Sequence, residues 1–149
     1  FGTQSADEVL KSELNRERFG ELAQEMPIYA QYPNEKQETY IKNLVRGAFA
    51  HGPELDDYIS RYAVGWSFER IPRMAAAIMR TAMYEILYMP DIPNAAAINA
   101  AVELTKQYEP QEVAAFVNGI LGSFVRAEFQ DTPAKPEKAA ARTETAPEA

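Results

Sequence analysis

The sequence predicts an all-α protein. Apolar residues recur at helical spacing along the chain as far as Phe129. No stretch keeps the two-residue alternation of a half-buried strand, and there is no internal repeat. Prolines and glycines punctuate the pattern at roughly 10- to 20-residue intervals, the length of ordinary globular helices. Together these features describe a bundle of about six helices with short connections between antiparallel neighbours.

The elements follow in order. Ser5 and Glu8 form a capping box, so a polar helix should start there and run to about Arg18 or Ala23. Residues 24–33 contain two prolines and read as a loop. Asn34 caps the next helix, with Gln37 at its third position, and Tyr40, Ile41, Leu44, Val45 and Phe49 supply one apolar stripe. His51-Gly52-Pro53 ends it and opens another, whose inner face is Leu55, Tyr58, Ile59 and Tyr62. Residues 66–72 form a junction in which Trp66 is expected to be a core anchor. From Pro72 to about Met89 the chain leaves almost no polar face, apart from Arg73, Arg80 and Glu85. Such a helix should be surrounded by others. Pro93 begins the next helix, with Ile98, Ala101, Val102, Thr105 and Tyr108 on one side, and Glu109-Pro110 starts the last. Residues 131–149 hold no large apolar side chain. They bury too little to offset ordering entropy and are expected to be disordered, which leaves 1–130 as the helical domain.

Composition narrows the function. The 149 residues fit one domain with a sizeable core, and 46% hydrophobic with 25% charged residues is ordinary for a globular chain. With no cysteine there is no disulfide frame and no thiolate chemistry, which is compatible with the cytoplasm. No apolar run reaches the roughly 18 residues of a membrane span. His51 is the only histidine and reads as a loop residue, which argues against a histidine-based metal site. The acidic pairs Glu13/Glu17 and Asp56/Asp57 read as solvated faces. No Ser-His-Asp set, glycine-rich phosphate loop or HExxH is present, so no catalysis, metal or cofactor is expected. The net charge of −7 means that any basic patch for nucleic acid is local or supplied by a partner.

The last helix poses a question. Val113, Phe116, Val117, Ile120, Leu121 and Phe124 make a complete core stripe, yet "FVNGILGSF" places Asn118-Gly119 and Gly122 in the middle of the helix. Glycine there costs roughly 1 kcal/mol relative to alanine. Ala115, Gly119 and Gly122 form a smooth strip where something can approach the backbone closely. A second helix of the same domain is the expected occupant, with a partner or an RNA backbone as the alternative.

Residues 77–126, "AIMRTAMYEILYMPDIPNAAAINAAVELTKQYEPQEVAAFVNGILGSFVR", resemble the NusB family of bacterial transcription antitermination factors. The resemblance lies in an ordered series: Arg80, Tyr84-Glu85, Asp91-Ile92-Pro93, Ala97-Ile98-Asn99, Val102-Glu103-Leu104, Lys106 and Phe116-Val117-Asn118-Gly119. "GWSFERI" (65–71) is similar to the junction just upstream. The resemblance implies two packed helical subdomains and no catalysis. It implies binding of the boxA element of ribosomal RNA leader transcripts, together with NusE, a small-subunit ribosomal protein, within a transcription elongation complex. Alternatives are a NusB-like interaction or homodimerisation module, or a domain accompanying a ribosomal RNA cytosine methyltransferase.

The resemblance also implies residue roles. Phe116, Asn118 and Lys106 are the expected RNA-binding residues. Glu69, Arg80, Tyr84 and Glu112 are the expected partner-binding residues. A structural ion pair is the competing reading for Arg80 and Glu85, with Tyr84 packing across the guanidinium. The chain departs from the family pattern in three places. The Arg-rich helix with which the family usually opens is expected to fall before residue 1. Ala75-Ala76 replace an acidic-basic pair implicated in gripping NusE, and the family's "INEA" reads Ile98-Asn99-Ala100-Ala101.

Overall fold

A computed structural model describes residues 4–129. The segment expected to be disordered, 131–149, lies outside the described residues. Seven α-helices and two 3-10 turns account for the described chain, with no strand among its residues. They fall into two compact units, 4–50 and 51–129.

The first unit contains α1 (Ala6–Glu13), α2 (Arg16–Ala23), a 3-10 turn (Pro27–Ala30) and α3 (Glu35–Ala50). The capping box that starts α1 is complete: Glu8 N–H donates to Ser5 Oγ at 3.1 Å, and Ser5 N–H donates to Glu8 Oε1 at 2.8 Å. The single helix expected from Ser5 to beyond Arg18 is two helices instead. Asn15 divides them by serving both ends. Its Nδ2 donates to the carbonyls of Lys11 and Ser12 at 2.9 and 3.2 Å, while its Oδ1 accepts from Arg18 N–H at 2.7 Å. One amide thus satisfies orphan groups of two helices at once.

The loop expected over 24–33 folds back as a 3-10 turn. Phe19 meets Tyr29 and Tyr32 edge to face, each with ring centroids 5.1 Å apart. The Arg16 guanidinium lies 4.6 Å from the Tyr32 ring centre. At the start of α3, Asn34 and Gln37 exchange backbone-to-side-chain bonds of 2.8 and 2.9 Å, as their spacing predicts. Asp7 on α1 binds Arg46 on α3 at 2.9 Å. The stripe on α3 is only half-buried, with Tyr40 exposed, and Leu10 is the sole large apolar side chain of this unit that is fully buried among the described residues.

The second unit is built around α5 (Arg73–Tyr88), which packs against α4 (Gly52–Tyr62), α6 (Asn94–Tyr108) and α7 (Gln111–Phe129). Every residue from Ala82 to Tyr88 is buried. Leu55 and Ile59 of α4, Thr105 of α6 and Val117, Leu121 and Phe124 of α7 are fully enclosed. Thr105 satisfies its hydroxyl locally by donating to the Ala101 carbonyl at 2.7 Å.

Two stripes differ from expectation at their edges. On α6 the buried positions are Ala97, Ala101 and Thr105, while Tyr108 is exposed. On α7 Ala114 is buried, and Val113 and Phe116 are half-buried. Small residues turn inward because α5, α6 and α7 approach closely, so larger neighbours move to the margins.

His51 is not a plain loop histidine. Its ring lies 4.5 Å from that of Tyr88 and 5.8 Å from that of Tyr84, and Nδ1 is 3.1 Å from Glu54 Oε1. The Tyr88 hydroxyl donates to the same carboxylate oxygen at 2.8 Å.

At the C-terminal end of α4, Tyr62 donates to Glu128 Oε2 at 2.5 Å, and Arg61 reaches the same oxygen at 3.2 Å. The bond to Glu128, followed by burial, raises the Tyr62 phenol above its ordinary pKa. A phenol with a raised folded-state pKa contributes stability that is complete below the unfolded value of about 10 and lost as pH rises through the folded value. Urea melts should therefore show stability falling above about pH 10. Tyr62→Phe should shrink that alkaline loss, and an unchanged loss would mean that this bond has no part in it.

Candidate functional site

The outer face of α7 is open. Ala115, Asn118 and Gly119 are exposed, and Gly122 and Phe116 are half-buried. A Cβ built on Gly119 meets no heavy atom within 4 Å. At Gly122 the only neighbour it meets is the guanidinium end of Arg126, at 3.2 Å. The expectation that another helix of the domain packs on this strip is therefore incorrect among the described residues. The stripe that faces α5 and α6 occupies the opposite side of α7, so burying Val117, Leu121 and Phe124 turns the glycines outward.

Phe116 sits on one edge of this face. Its ring lies 4.8 Å from that of Trp66, with the planes tilted by 46°. Trp66 is 48% exposed, so it is not the core anchor the sequence suggested. Asn118 lies on the other edge, and its side chain has no hydrogen-bond partner among the described residues. Glu112 is exposed one turn before Phe116 and forms no ion pair among the described residues. Lys106 is exposed on α6, holds Glu103 at 3.1 Å, and lines with Glu109 and Gln111 a shallow depression of about 260 Å³ at the α6–α7 turn.

Of the remaining expected residues, Arg80 and Tyr84 are largely removed from solvent and Glu69 is exposed. Arg80 does form an ion pair, but with Asp56 on α4, whose carboxylate accepts from Nε at 2.5 Å. The pair Asp56/Asp57 is therefore not simply a solvated face. The Arg80 guanidinium also lies 5.7 Å from the Phe68 ring centre. Tyr84 is 3% exposed and stacks in the His51–Tyr88 cluster, so it supports this surface from beneath. Glu69 is exposed in the 3-10 turn Phe68–Arg70, beside the ring that covers Arg80. Ala75 and Ala76 are buried.

Trp66 and Asp56 were among the residues that sequence reasoning misassigned. In the structure Gly65 precedes Trp66 with φ 87°, and Trp66 N–H donates to the Ala63 carbonyl at 3.1 Å. A β-turn of that kind favours glycine at its third position.

Comparison with known proteins places this arrangement. The NusB family model matches residues 4–126. The chain belongs to the NusB family. Among curated relatives it is 42% identical over 96 residues to the transcription antitermination protein NusB of Acetivibrio thermocellus, covering 64% of this chain and 66% of the relative. It is 45% identical over 96 residues to the protein of the same name from a Thermoanaerobacter species, covering 64% of this chain and 67% of the relative. These matches span about two thirds of the relatives' lengths. A solved structure of T. maritima NusB superposes with a TM-score of 0.62 at 29% identity, over 89% of this chain and 92% of that one. The chain thus shares the fold of that NusB structure.

Two substitutions test the layers separately. Gly119→Ala enters open space on a helix and should raise stability by about 0.4–1 kcal/mol. If the strip receives a close-approaching molecule, the same variant should weaken that binding, so stability and affinity should move in opposite directions. Asp56→Ala removes a charged hydrogen bond from a guanidinium whose side chain is 14% exposed. Its expected cost in denaturant melts is about 1.5–3 kcal/mol.

Proposed function

We propose that this NusB-family chain is a non-catalytic transcription antitermination factor. It binds the unpaired boxA element of ribosomal RNA leader transcripts together with NusE, within the transcription elongation complex. The observation that supports this reading best is the outer face of α7: an open glycine strip between a half-buried ring, Phe116, and an amide, Asn118, without a hydrogen-bond partner among the described residues. Single-stranded RNA is recognised by stacking its splayed bases on aromatic rings and by hydrogen bonds to their edges. Phe116 offers the ring and Asn118 the edge reader, with Lys106 as a phosphate contact.

Charge explains why a partner is needed. At −7 the chain gains little from counterion release by itself. A basic ribosomal protein brings its own cations and docks on exposed carboxylates, for which Glu69 and Glu112 are placed. Arg80 and Tyr84 act beneath them by holding the 3-10 turn and α5 in position.

Fluorescence anisotropy of labelled boxA RNA, titrated with the chain in the presence and absence of NusE across a salt series, tests the proposal. Binding should require or tighten with NusE and weaken as salt rises. Absence of binding to RNA and to NusE alike would reduce the family relationship to a shared fold.

A further inference from the structure

The junction before α5 holds an aromatic residue that the proposed RNA contacts do not use. Trp66 is presented by a glycine-dependent turn, stays 48% exposed, and backs onto Phe116 at 4.8 Å. An indole with half its surface exposed offers an aromatic face on which a second surface can pack. The surrounding charge says which kind. Arg70 follows in the adjoining 3-10 turn and Arg73 opens α5, and both are exposed with no ion pair among the described residues. Of the other cations on these helices, Arg61 is held by Glu128 and Asp57, Arg80 by Asp56 and Lys106 by Glu103, while Arg126 on α7 donates to the Ser123 hydroxyl at 3.2 Å. Arg70 and Arg73, four and seven residues after the exposed Trp66, together with the half-buried Phe116 against its ring, match a single-stranded polyanion whose bases stack while its phosphates meet arginine.

We propose that Trp66 and Phe116 form one composite stacking platform for an unpaired RNA base, with Arg70 and Arg73 contacting the flanking phosphates. This rests on the RNA-binding function proposed above and extends it to residues outside α7. The rings divide the work. Phe116 is fixed by α7 and by the indole against it, and the Gly65 turn sets the direction of Trp66. The platform reads an unpaired base rather than a duplex, since a paired base has no free face to offer.

Trp66 is the only tryptophan, so its emission reports on this position alone. The experiment follows tryptophan fluorescence and RNA anisotropy in the same titration, using single-stranded boxA RNA, the same strand annealed to its complement, and NusE carrying no tryptophan. Single-stranded RNA should quench Trp66 with the same midpoint as the anisotropy change, and the duplex should not. Trp66→Ala should weaken RNA binding roughly five- to hundredfold. Trp66→Phe, which keeps a ring and guards against a folding defect, should restore most of it. RNA binding without quenching, and with Trp66→Ala unaffected, overturns the platform while leaving the proposed function standing. Quenching by NusE in the absence of RNA overturns it in favour of a protein contact. Loss of RNA binding in every arm removes both readings together.

Discussion

Most of the second unit follows from the scarcity of solvent-facing surface on α5. A helix of Met, Ala, Ile and Leu needs neighbours around most of its circumference, and α4, α6 and α7 supply them. The charges left on it then become constraints. Arg80 cannot lose its charge, so its guanidinium needs compensation where it is largely removed from water. Asp56 provides the carboxylate from α4, and Phe68 provides a ring from the junction. These contacts fix where the 3-10 turn at Phe68–Arg70 lies against the bundle, and with it the stretch that carries Trp66.

The same demand for burial orients α7. Its inner side is a continuous stripe through Val117, Leu121 and Phe124, and Phe124 is held edge to face by Tyr58 at 4.9 Å. Once that stripe faces inward, helical geometry leaves the small residues outside. The glycine at 119 weakens the helix by roughly 1 kcal/mol, and no packing within the described residues offsets it. The missing side chain therefore matters for something other than the internal packing of this unit.

What the sequence revealed depended on how local each cause was. The caps at Ser5 and Asn34 were legible because donor and acceptor lie three residues apart. The prolines before α5 and α6 were legible because they restrict their own backbone. Asn15 was missed, although its bonds are also local, because an asparagine that closes one helix and opens the next leaves the helical spacing of its neighbours almost undisturbed. Asp56 and Trp66 were beyond reach for a different reason. Their roles depend on which side chain of a distant helix arrives opposite them, Arg80 in one case and Phe116 in the other. The face of α7 was legible in outline, while its occupant was not. Periodicity identifies the residues that share a side but says nothing about what covers them.

An acidic chain that grips a polyanion is less contradictory than its net charge suggests. At physiological salt the screening length is about 8 Å, so carboxylates on remote helices act weakly on a phosphate at the junction. What counts is the charge within that distance and the contacts that charge does not govern. Stacking and amide hydrogen bonds operate only at contact and survive salt, whereas Arg70 and Arg73 alone release few counterions. A surface of this kind discriminates among single strands better than it holds them. It leaves bulk affinity to a basic partner, whose docking the exposed carboxylates at Glu69 and Glu112 would favour. On the proposed reading, separating adhesion from selection in this way would also weaken binding to RNA when the partner is absent.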